Sequence, residues 1–401
     1  MPVVRRRRAL AVTSNEEREI IQTLLRNCSN STTDMVPDVG FGPVSNYTDP
    51  NRLKQEIDVL FRQFPIIVGH VGQLAEPGQF ITHNETGVPI LVTRNRKGSL
   101  KAFMNVCRHR GMRVANELCG KAAMFTCPYH SWNYDLDGRL RGMPQPNGFE
   151  SIDEESLGLV ALPVGERFGL VWVRPSVGDE AFDLDAWLAP MANQLESLDL
   201  GDHVVFRAWS VESDMSWRLA LEGFLESYHF CSAHKHTACA GYLDNQSVFR
   251  DLYPHVRHAV PLPKALEMEG QAPEVWNYRP NFMTQNYLFP CNFVQVMTDH
   301  VYIHSIFPKG SGSCVFQCMM LVPEAPETEK AERYWNRNYK VVETVFGEDF
   351  EIGQKVQAGL ETGANEHFVF GRYERGLHLA QKAIDDALEG RLTACHGAAA
   401  L

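Results

Sequence analysis

Hydrophobic residues between positions 57 and 175 come in short runs that are separated by glycine, proline and asparagine. The runs "FPIIVGHVG", "VPILVTRN", "KAFMNVC" and "GLVWVRP" have the length of buried strands and end in turn-forming residues. This pattern predicts a domain built mainly of β-strands. Ahead of it, "NEEREIIQTLLRN" at 15–27 repeats its apolar positions with the period of a helix, which predicts a leading helical arm.

The hydrophobic period changes after residue 175. The segment "DMSWRLALEGFLESYHF" predicts a helix with Ser213 or Asp214 as its N-cap. Its apolar stripe comprises Trp217, Leu221, Phe224, Leu225 and Tyr228. Strand-like segments such as "NFVQVMTDHVYIHSIFP" and "SCVFQCMMLVP" follow, and helices are expected at about 327–346, 348–361 and 374–389.

These changes of pattern predict an α+β fold in three regions. Residues 51–175 form a β-rich domain, and residues 176–401 form a larger domain with an antiparallel sheet flanked by helices. Residues 1–50 form a helical arm that packs on the larger domain.

Composition narrows the class of protein. A net charge of −11 argues against broad binding of nucleic acid, and no run of about 18 apolar residues predicts a membrane span. The apolar stretch after Arg5–Arg8 is too short for a signal peptide, so we expect a cytoplasmic protein. Thiols stay reduced there, so the ten cysteines are not expected to form a disulfide framework. Cys231 and Cys239 are among those expected to be small core residues.

The stretch "CRHRGMRVANELCGKAAMFTCPYHSW" contains two Cys-His pairs, Cys107-x-His109 and Cys127-x-x-His130. Two cysteines and two histidines suit structural zinc, but zinc motifs usually place two to four residues between the first two ligands, and only Arg108 intervenes here. A [2Fe–2S] cluster with two cysteines on one iron and two histidines on the other is favoured by this spacing.

The flanks of these pairs carry a family resemblance. Cys-x-His, seventeen residues and Cys-x-x-His, with "CRHRG" and "CPYHSWNYDLDGRL" around them, resemble the Rieske non-haem iron oxygenase α subunits. The resemblance implies that Cys107, His109, Cys127 and His130 hold a Rieske [2Fe–2S] cluster. Ser131 stands where glycine is usual in this family, a small change that should leave ligation intact.

Three arginines surround the first pair. Arg108, Arg110 and Arg113 would form a basic collar where electrons enter the cluster, and such a collar attracts an acidic ferredoxin or reductase. Pairing with acidic residues of a neighbouring subunit is an equally weighted reading, and both can hold.

A second constellation lies in "LEGFLESYHFCSAHKHT". His229 and His234 are five residues apart, about 140° on an ideal helix, so the helix is expected to end or loosen at Cys231–Ala233. The resemblance to the family pattern "ExYHxxxxH" implies that both histidines bind a mononuclear Fe(II). It selects His234 rather than His236.

Two histidines and one carboxylate make up the usual site of this kind. The segment "GEDFEIGQKVQAGLE" resembles the family pattern of an acidic pair followed by "VQxGL", which implies Asp349 as the third ligand. Taken alone, Asp349 would read as an acid that stabilises a helix N-terminus. Glu366 in "GANEHF" is a rival ligand.

Glu226 is expected to bridge the two metal centres. It precedes His229 by three residues, a spacing at which helical side chains meet. The resemblance implies a carboxylate here that accepts from an iron-bound imidazole and from a cluster histidine of the adjacent subunit.

The resemblance thus implies the oxygenase component of a Rieske oxygenase, assembled as a homotrimer. Electrons would come from NAD(P)H through a separate reductase or ferredoxin, because no flavin or nicotinamide fingerprint is visible. With O₂ they would hydroxylate or oxidatively demethylate a small-molecule substrate. A pure electron carrier and a zinc-stapled binding module are the remote alternatives.

The substrate is expected to be aromatic or hydrophobic, as in aromatic hydrocarbon catabolism. The segment 276–297 is rich in large apolar side chains that could line a pocket. They are Trp276, Tyr278, Phe282, Met283, Tyr287, Phe289 and Phe293. The same residues could instead cage a quaternary ammonium compound of the carnitine or choline type.

Overall fold

The computed structural model describes residues 13–178 and 182–394 of the 401. Arg5–Arg8 and Cys395 lie outside this part of the chain. The helices are α1 (Asn15–Ser29), α2 (Ser45–Thr48), α3 (Pro50–Gln63), α4 (Leu184–Leu188), α5 (Ala192–Glu196), α6 (Trp217–Gly223), α7 (Phe230–Ala233), α8 (Glu329–Leu360) and α9 (Arg375–Leu388).

The strands divide into a first set before residue 175 and a second set after it. The first set is β1 (Gly40–Pro43), β2 (Ile66–His70), β3 (Gln79–His83), β4 (Ile90–Arg94), β5 (Leu100–Met104), β6 (Cys119–Lys121), β7 (Phe125–Thr126), β8 (Asn133–Tyr134), β9 (Leu140–Gly142), β10 (Ala161–Leu162), β11 (Val164–Arg167) and β12 (Leu170–Val173). The second set is β13 (Val204–Ser213), β14 (Val248–Leu252), β15 (His255–Pro261), β16 (Phe282–Leu288), β17 (Asn292–Val296), β18 (Val301–Gly310), β19 (Ser313–Val322) and β20 (His367–Phe370).

The larger domain is organised around one seven-stranded antiparallel sheet. Its strand order is β13-β19-β18-β17-β16-β15-β14, so chain neighbours are also sheet neighbours from β14 to β19. Every residue of β15, β16 and β17 is buried, because the sheet is covered on both faces. Helices α3, α6 and α9 contact its strands, and α8 packs on α6.

The β-rich domain consists of small antiparallel sheets. A five-stranded sheet has the order β10-β5-β4-β3-β6, a three-stranded sheet the order β11-β12-β2, and a second small sheet the order β7-β8-β9. Both Cys-His pairs lie in turns that border β7 and β5. The predicted α+β fold, a β-rich domain joined to a domain with an antiparallel sheet and helices, is confirmed.

Helix boundaries near Ser216 and Gly347 differ from the prediction. Ser216 caps α6 by accepting a hydrogen bond from the amide of Leu219, and Ser213 instead ends β13. The two helices expected on either side of Gly347 are one continuous helix, α8, since a single glycine costs only about 1 kcal/mol in a helix interior. This long helix carries Asp349 near its middle.

The leading arm contacts the larger domain. A capping box between Ser14 and Glu17 begins α1, and the carboxylates of Glu16 and Glu17 lie 3.3 and 3.1 Å from the buried guanidinium of Arg257 on β15. Helix α3 packs on α9 of the larger domain. In the described part of the chain no helix is both long and apolar enough to cross a bilayer.

Candidate metal centres

The two Cys-His pairs occupy two turns of the same construction. The amide of Gly111 donates to the carbonyl of Cys107 at 2.9 Å, and the amide of Ser131 donates to the carbonyl of Cys127 at the same distance. Gly111 has a φ of 79° and Ser131 a φ of 57°. The left-handed conformation costs a non-glycine residue only about 1 kcal/mol. Ser131 can therefore form the turn in which this family usually has glycine.

The four predicted cluster ligands lie together at the tips of these turns. Cys107 and Cys127 are buried, and the imidazole rings of His109 and His130 are 4.6 Å apart between centroids. The Nδ1 atoms of both histidines are buried and have no hydrogen-bond partner among the described residues. Burying a nitrogen without a hydrogen-bond partner costs free energy unless its lone pair binds a metal ion. These residues therefore fit a cluster of the Rieske type.

Aromatic side chains hold the cluster histidines in place. The ring of Trp132 stacks on His109 with a centroid distance of 4.9 Å and an interplanar angle of 7°. The hydroxyl of Tyr134 lies 3.3 Å from the Cys107 thiol and accepts from the amide of Arg108 at 3.0 Å. Such contacts around the ligands orient them and tune a metal centre.

All three collar arginines are exposed. Arg108 donates to the carbonyl of Gly158 at 3.0 Å, which ties its guanidinium to the surface beside the cluster turns. Arg110 and Arg113 form no ion pair with any residue of the described ranges. Within one chain, their charges are therefore available to a partner, whether a donor protein or a second subunit.

The second group of ligands is assembled by three elements. Helix α6 ends at Gly223, turns follow, and α7 is a short helix between His229 and His234. The break in the helix thus comes before His229 rather than at Cys231–Ala233. Glu226 lies in the turn and not on a helical face, although it still reaches His229.

His229, His234 and Asp349 converge on one point. A carboxylate oxygen of Asp349 is 2.9 Å from Nε2 of His234 and 3.6 Å from Nε2 of His229. One ligand atom from each residue lies within 4.8 Å of the others, which is the arrangement of a two-histidine, one-carboxylate site. Glu366 is not part of this group, and its carbonyl instead accepts from Val44.

Each of these histidines has a carboxylate on its far nitrogen. Glu226 bonds Nδ1 of His229 and accepts from the same residue's amide at 3.1 Å. Glu348 lies 2.7 Å from Nδ1 of His234 and also accepts from the hydroxyl of Thr237 at 2.6 Å. Protons held on the Nδ1 atoms leave both Nε2 atoms free for a metal ion, so the residues fit a mononuclear iron.

The carboxylates also set the charge of the site. Burial alone would lower the pKa of both histidines, but hydrogen bonds and charges from Glu226, Glu348 and Asp349 raise it above the ordinary value. The role of Glu348 was missed from the sequence. The one signal for it was its place beside Asp349 in the acidic pair.

A disulfide encloses the loop that carries His234. Cys231 and Cys239 are joined across eight residues, and the amide of Cys239 donates to the carbonyl of His234 at 3.1 Å. The expectation that both cysteines are separate core thiols is therefore wrong in this structure. A crosslink of this kind reduces the number of conformations open to a short loop.

Two cavities meet at the metal-ligand group. The first, of about 320 Å³, lies between the sheet and α8 and is called the substrate cavity below. Its apolar wall comprises Phe224, Phe230, Tyr242, Leu262, Met283, Met297, Val341, Val342, Val345 and Phe346. Of the side chains expected from 276–297 only Met283 reaches it, whereas Tyr287, Phe289 and Phe293 are core residues.

The second cavity, of about 280 Å³, lies on the opposite side of the ligand group and is called the outer cavity. It contains the carboxylates of Glu222, Glu226 and Glu374 among apolar side chains. The two cavities share a wall formed by Gly223, Phe224, Glu226, His229 and Asp349. A ligand in the substrate cavity and a group in the outer cavity could therefore both reach the site.

Glu222 is the most perturbed acid of the outer cavity. Burial raises its pKa to about 7, even though the hydroxyl of Tyr47 donates to its carboxylate at 2.7 Å and Arg218 lies nearby. Arg218 is itself paired with the buried carboxylate of Glu56 at 2.7 Å. This buried network anchors α6, and with it the turn that carries Glu226, to α3.

Comparison with known families agrees with both centres. Residues 64–153 match the Rieske [2Fe-2S] domain, and residues 200–390 match the catalytic domain of the ring hydroxylating alpha subunit. The chain contains the two domains of the Rieske oxygenase α subunits. These are proteins with a [2Fe–2S] domain and a mononuclear-iron domain, as the resemblance implied.

This chain has relatives that act on more than one class of substrate. It is 33% identical over 192 residues to the glycine betaine monooxygenase oxygenase subunit of Chromohalobacter salexigens, a match that covers 48% of this chain and 42% of the relative. It is 31% identical over 217 residues to the chlorobenzene dioxygenase subunit alpha of a Cupriavidus species, covering 52% and 47%. These matches span less than half of the relatives' own length.

The fold also matches a solved structure. The quaternary ammonium Rieske monooxygenase CntA, in its complex with L-carnitine, superposes with a TM-score of 0.75 over 90% of this chain and 98% of that one. Sequence identity is 22%, so this likeness concerns the fold alone.

Proposed function

We propose that this chain is the oxygenase component of a Rieske monooxygenase that hydroxylates a small quaternary ammonium compound. The supporting observation is the substrate cavity, which adjoins His229, His234 and Asp349 and presents aromatic rings without a lysine or arginine in its wall. Aromatic faces attract a desolvated cation, and no lysine or arginine in the wall opposes it. A cavity of about 320 Å³ suits a small molecule.

This proposal reverses the order of the two substrate classes expected from the sequence. An aromatic or hydrophobic substrate remains the second candidate, because the cavity wall is mostly apolar and the chain also resembles chlorobenzene dioxygenase. The similarity to the oxygenase subunit that acts on glycine betaine favours a quaternary ammonium compound.

The chemistry divides between bound metals and protein side chains. A Rieske cluster on Cys107, His109, Cys127 and His130 would supply single electrons, and an Fe(II) on the second ligand group would supply a site for O₂. The net reaction converts C–H, O₂, two electrons and two protons into C–OH and water. Hydroxylation at an N-methyl carbon gives an N-hydroxymethyl group, which breaks down to formaldehyde, a proton and the demethylated tertiary amine.

The protein's own part is to orient ligands and to exclude water. Glu226 and Glu348 hold the far nitrogens of His229 and His234, so neither ring can turn away from the site. Apolar side chains of the sheet and α8 surround the substrate and keep the site dry.

We further propose that the active form is a homotrimer in which the cluster of one subunit faces the outer cavity of the next. Large apolar side chains are exposed beside this cavity, with Phe41, Tyr228 and Val369 at 62, 55 and 64%. Beside the cluster turns, Met112 and Tyr129 are 40 and 58% exposed. Two such patches are suited to an interface between copies, and Glu226 would lie at their junction.

The assay that tests the proposed function uses protein loaded with both metals, a reductase or ferredoxin as electron donor, and NAD(P)H. We expect a rhombic EPR signal of low average g after reduction and conversion of glycine betaine, choline or carnitine. Asp349→Ala is the matched control, since it should keep the signal and lose turnover. Turnover of chlorobenzene or toluene but of none of these cations would establish the aromatic candidate instead.

A further inference from the structure

Two glutamines stand out in the otherwise apolar part of the substrate cavity. Gln285 on β16 and Gln295 on β17 are direct cross-strand partners, and both line the cavity on the sheet side. They are 4 and 6% exposed, so their amides are buried in the protein interior. A buried polar side chain normally has its hydrogen bonds satisfied, and an exception requires an explanation.

Gln285 is such an exception. Its Oε1 atom is buried without a hydrogen-bond partner among the described residues. On its other side, its cross-strand partner His258 is already bonded to Ser247 and to the carbonyl of Phe224. The amide of Gln285 can therefore take a partner from the cavity.

The amide of Gln295 is oriented by the residues behind it. Nε2 of His304 lies 2.7 Å from Oε1 of Gln295, and Nδ1 of His304 lies 3.7 Å from the thiol of Cys318. Burial lowers the pKa of His304 to about 3 and raises that of the thiol well above 9, so the imidazole is neutral and the thiol protonated. The thiol donates to Nδ1, Nε2–H donates to Oε1, and the NH₂ group of Gln295 is left for the cavity.

We infer that the substrate carries an oxygen group, a hydroxyl or a carboxylate, at the end that lies against the sheet. Gln295 donates to this oxygen, and Gln285 either accepts from a hydroxyl at Oε1 or, with its amide turned over, donates to a carboxylate from Nε2. This inference deepens the proposed function, on which its choice of a quaternary ammonium scaffold rests. The metal ligands come from the opposite wall, so the two glutamines would determine which carbon of the substrate faces the site.

The inference predicts discrimination between molecules of equal shape. Removing the oxygen leaves buried amides unpaired, a loss that corresponds to roughly fivefold to tenfold in affinity for one neutral hydrogen bond. The probes are choline, glycine betaine and propyltrimethylammonium, which share a trimethylammonium head and differ at the other end. Benzyl alcohol and ethylbenzene form the matched aromatic pair.

Titration calorimetry on the metal-loaded protein tests it. We expect choline or glycine betaine to bind about fivefold or more tightly than propyltrimethylammonium. The tighter binder of the two shows whether the oxygen group is a hydroxyl or a carboxylate. Equal affinity for polar and apolar members in both series would overturn the inference. Preference for benzyl alcohol over ethylbenzene, with no binding of any cation, would keep the inference and overturn the proposed function.

Substitutions connect the preference to the two glutamines. Gln295→Glu still accepts from His304 but replaces the donor by a carboxylate, so the preference for glycine betaine should disappear through repulsion. A hydroxyl could then bind only as a donor, so the preference for choline should change. Gln285→Met removes an amide without a protein partner, so the fold should be unaffected while the preference falls. Gln317→Met on β19, away from both cavities, is the control. An unchanged preference in both cavity variants would contradict the inference.

Discussion

A carboxylate oxygen of Glu348 lies 2.7 Å from Nδ1 of His234, and Glu348 is the residue immediately before Asp349 on α8. Two neighbouring residues of one helix thus contact opposite nitrogens of one imidazole ring, since Asp349 faces Nε2 at 2.9 Å. Helix α8 thus contacts His234 on both sides of its ring. Displacement of α8 would move the candidate ligand Asp349 and the orienting residue Glu348 together.

Glu348→Gln should therefore weaken binding of the mononuclear iron by about 10- to 100-fold, the usual range for groups behind a ligand. Titration of metal-depleted protein with Fe(II) measures this, and the Rieske absorption should be unchanged. Glu351→Gln, one turn along the exposed face of α8, is the matched control. An unchanged affinity for Fe(II) in Glu348→Gln would show that the contact with His234 does not contribute to iron binding.

The identity of the third ligand is tested by iron content. Asp349→Ala and His234→Ala should each lose the mononuclear iron and keep the cluster, because the two ligand groups lie in separate segments. Glu366→Ala should retain both metals. If Glu366→Ala lost the mononuclear iron while Asp349→Ala kept it, the assignment of α8 would be wrong.

Glu226→Gln tests the proposed bridge. The amide keeps the size of the side chain but loses the charge and one acceptor, so both metals should stay bound. We expect a drop of tenfold or more in the rate at which reduced enzyme loses its cluster signal on mixing with substrate and O₂. Glu374→Gln, in the same cavity but not bonded to a ligand, is the control. Wild-type rates would leave Glu226 as a structural residue.

The basic collar is tested by charge reversal. Arg110→Glu or Arg113→Glu should raise the apparent KM for the electron donor and weaken its dependence on salt, because exposed charges act through screened attraction. Arg108→Glu should change the donor kinetics more than the other two substitutions, since the Arg108 guanidinium also donates to the carbonyl of Gly158. Unchanged donor kinetics with an altered subunit assembly would assign the arginines to the contact between subunits.

Stability should depend on pH through Glu222. Its pKa is raised from 4.5 to about 7 in the fold, so between these values the folded state holds a proton that the unfolded state has released. The stabilisation is complete below pH 4.5 and is lost as the pH rises to 7. Glu222→Gln should thus lessen the fall in Tm between pH 5 and pH 8. An identical fall in wild type and variant would rule this out.

Local motifs made most of the site predictable. The cluster residues lie in two short turns, and His229 and His234 lie close together in sequence, so short motifs that resemble a known family carry the information. Glu348 could not be assigned in the same way, because its contact with His234 depends on how α8 docks on that loop.

The substrate side could be predicted only in part. Alternation along β16 and β17 predicts strands, but these strands are buried on both faces, so the pattern does not tell which side chains face a cavity. Phe289 and Phe293 were plausible lining residues and proved to be core, whereas Phe230 begins the short helix α7 and Tyr242 lies in the loop after it. The link between Cys231 and Cys239 likewise depends on the course of that loop.

The wall shared by the two cavities has a consequence for how such an enzyme can change over evolution. Under the proposed function, the residues that bear on substrate choice, such as Gln285 and Met283, project from the sheet. Glu226 lies in the shared wall, and Glu222 lines only the outer cavity. Mutations on the sheet would therefore alter the range of accepted substrates and leave the proposed route of the electrons unchanged. Related enzymes could therefore diverge in substrate while they keep the same electron donors.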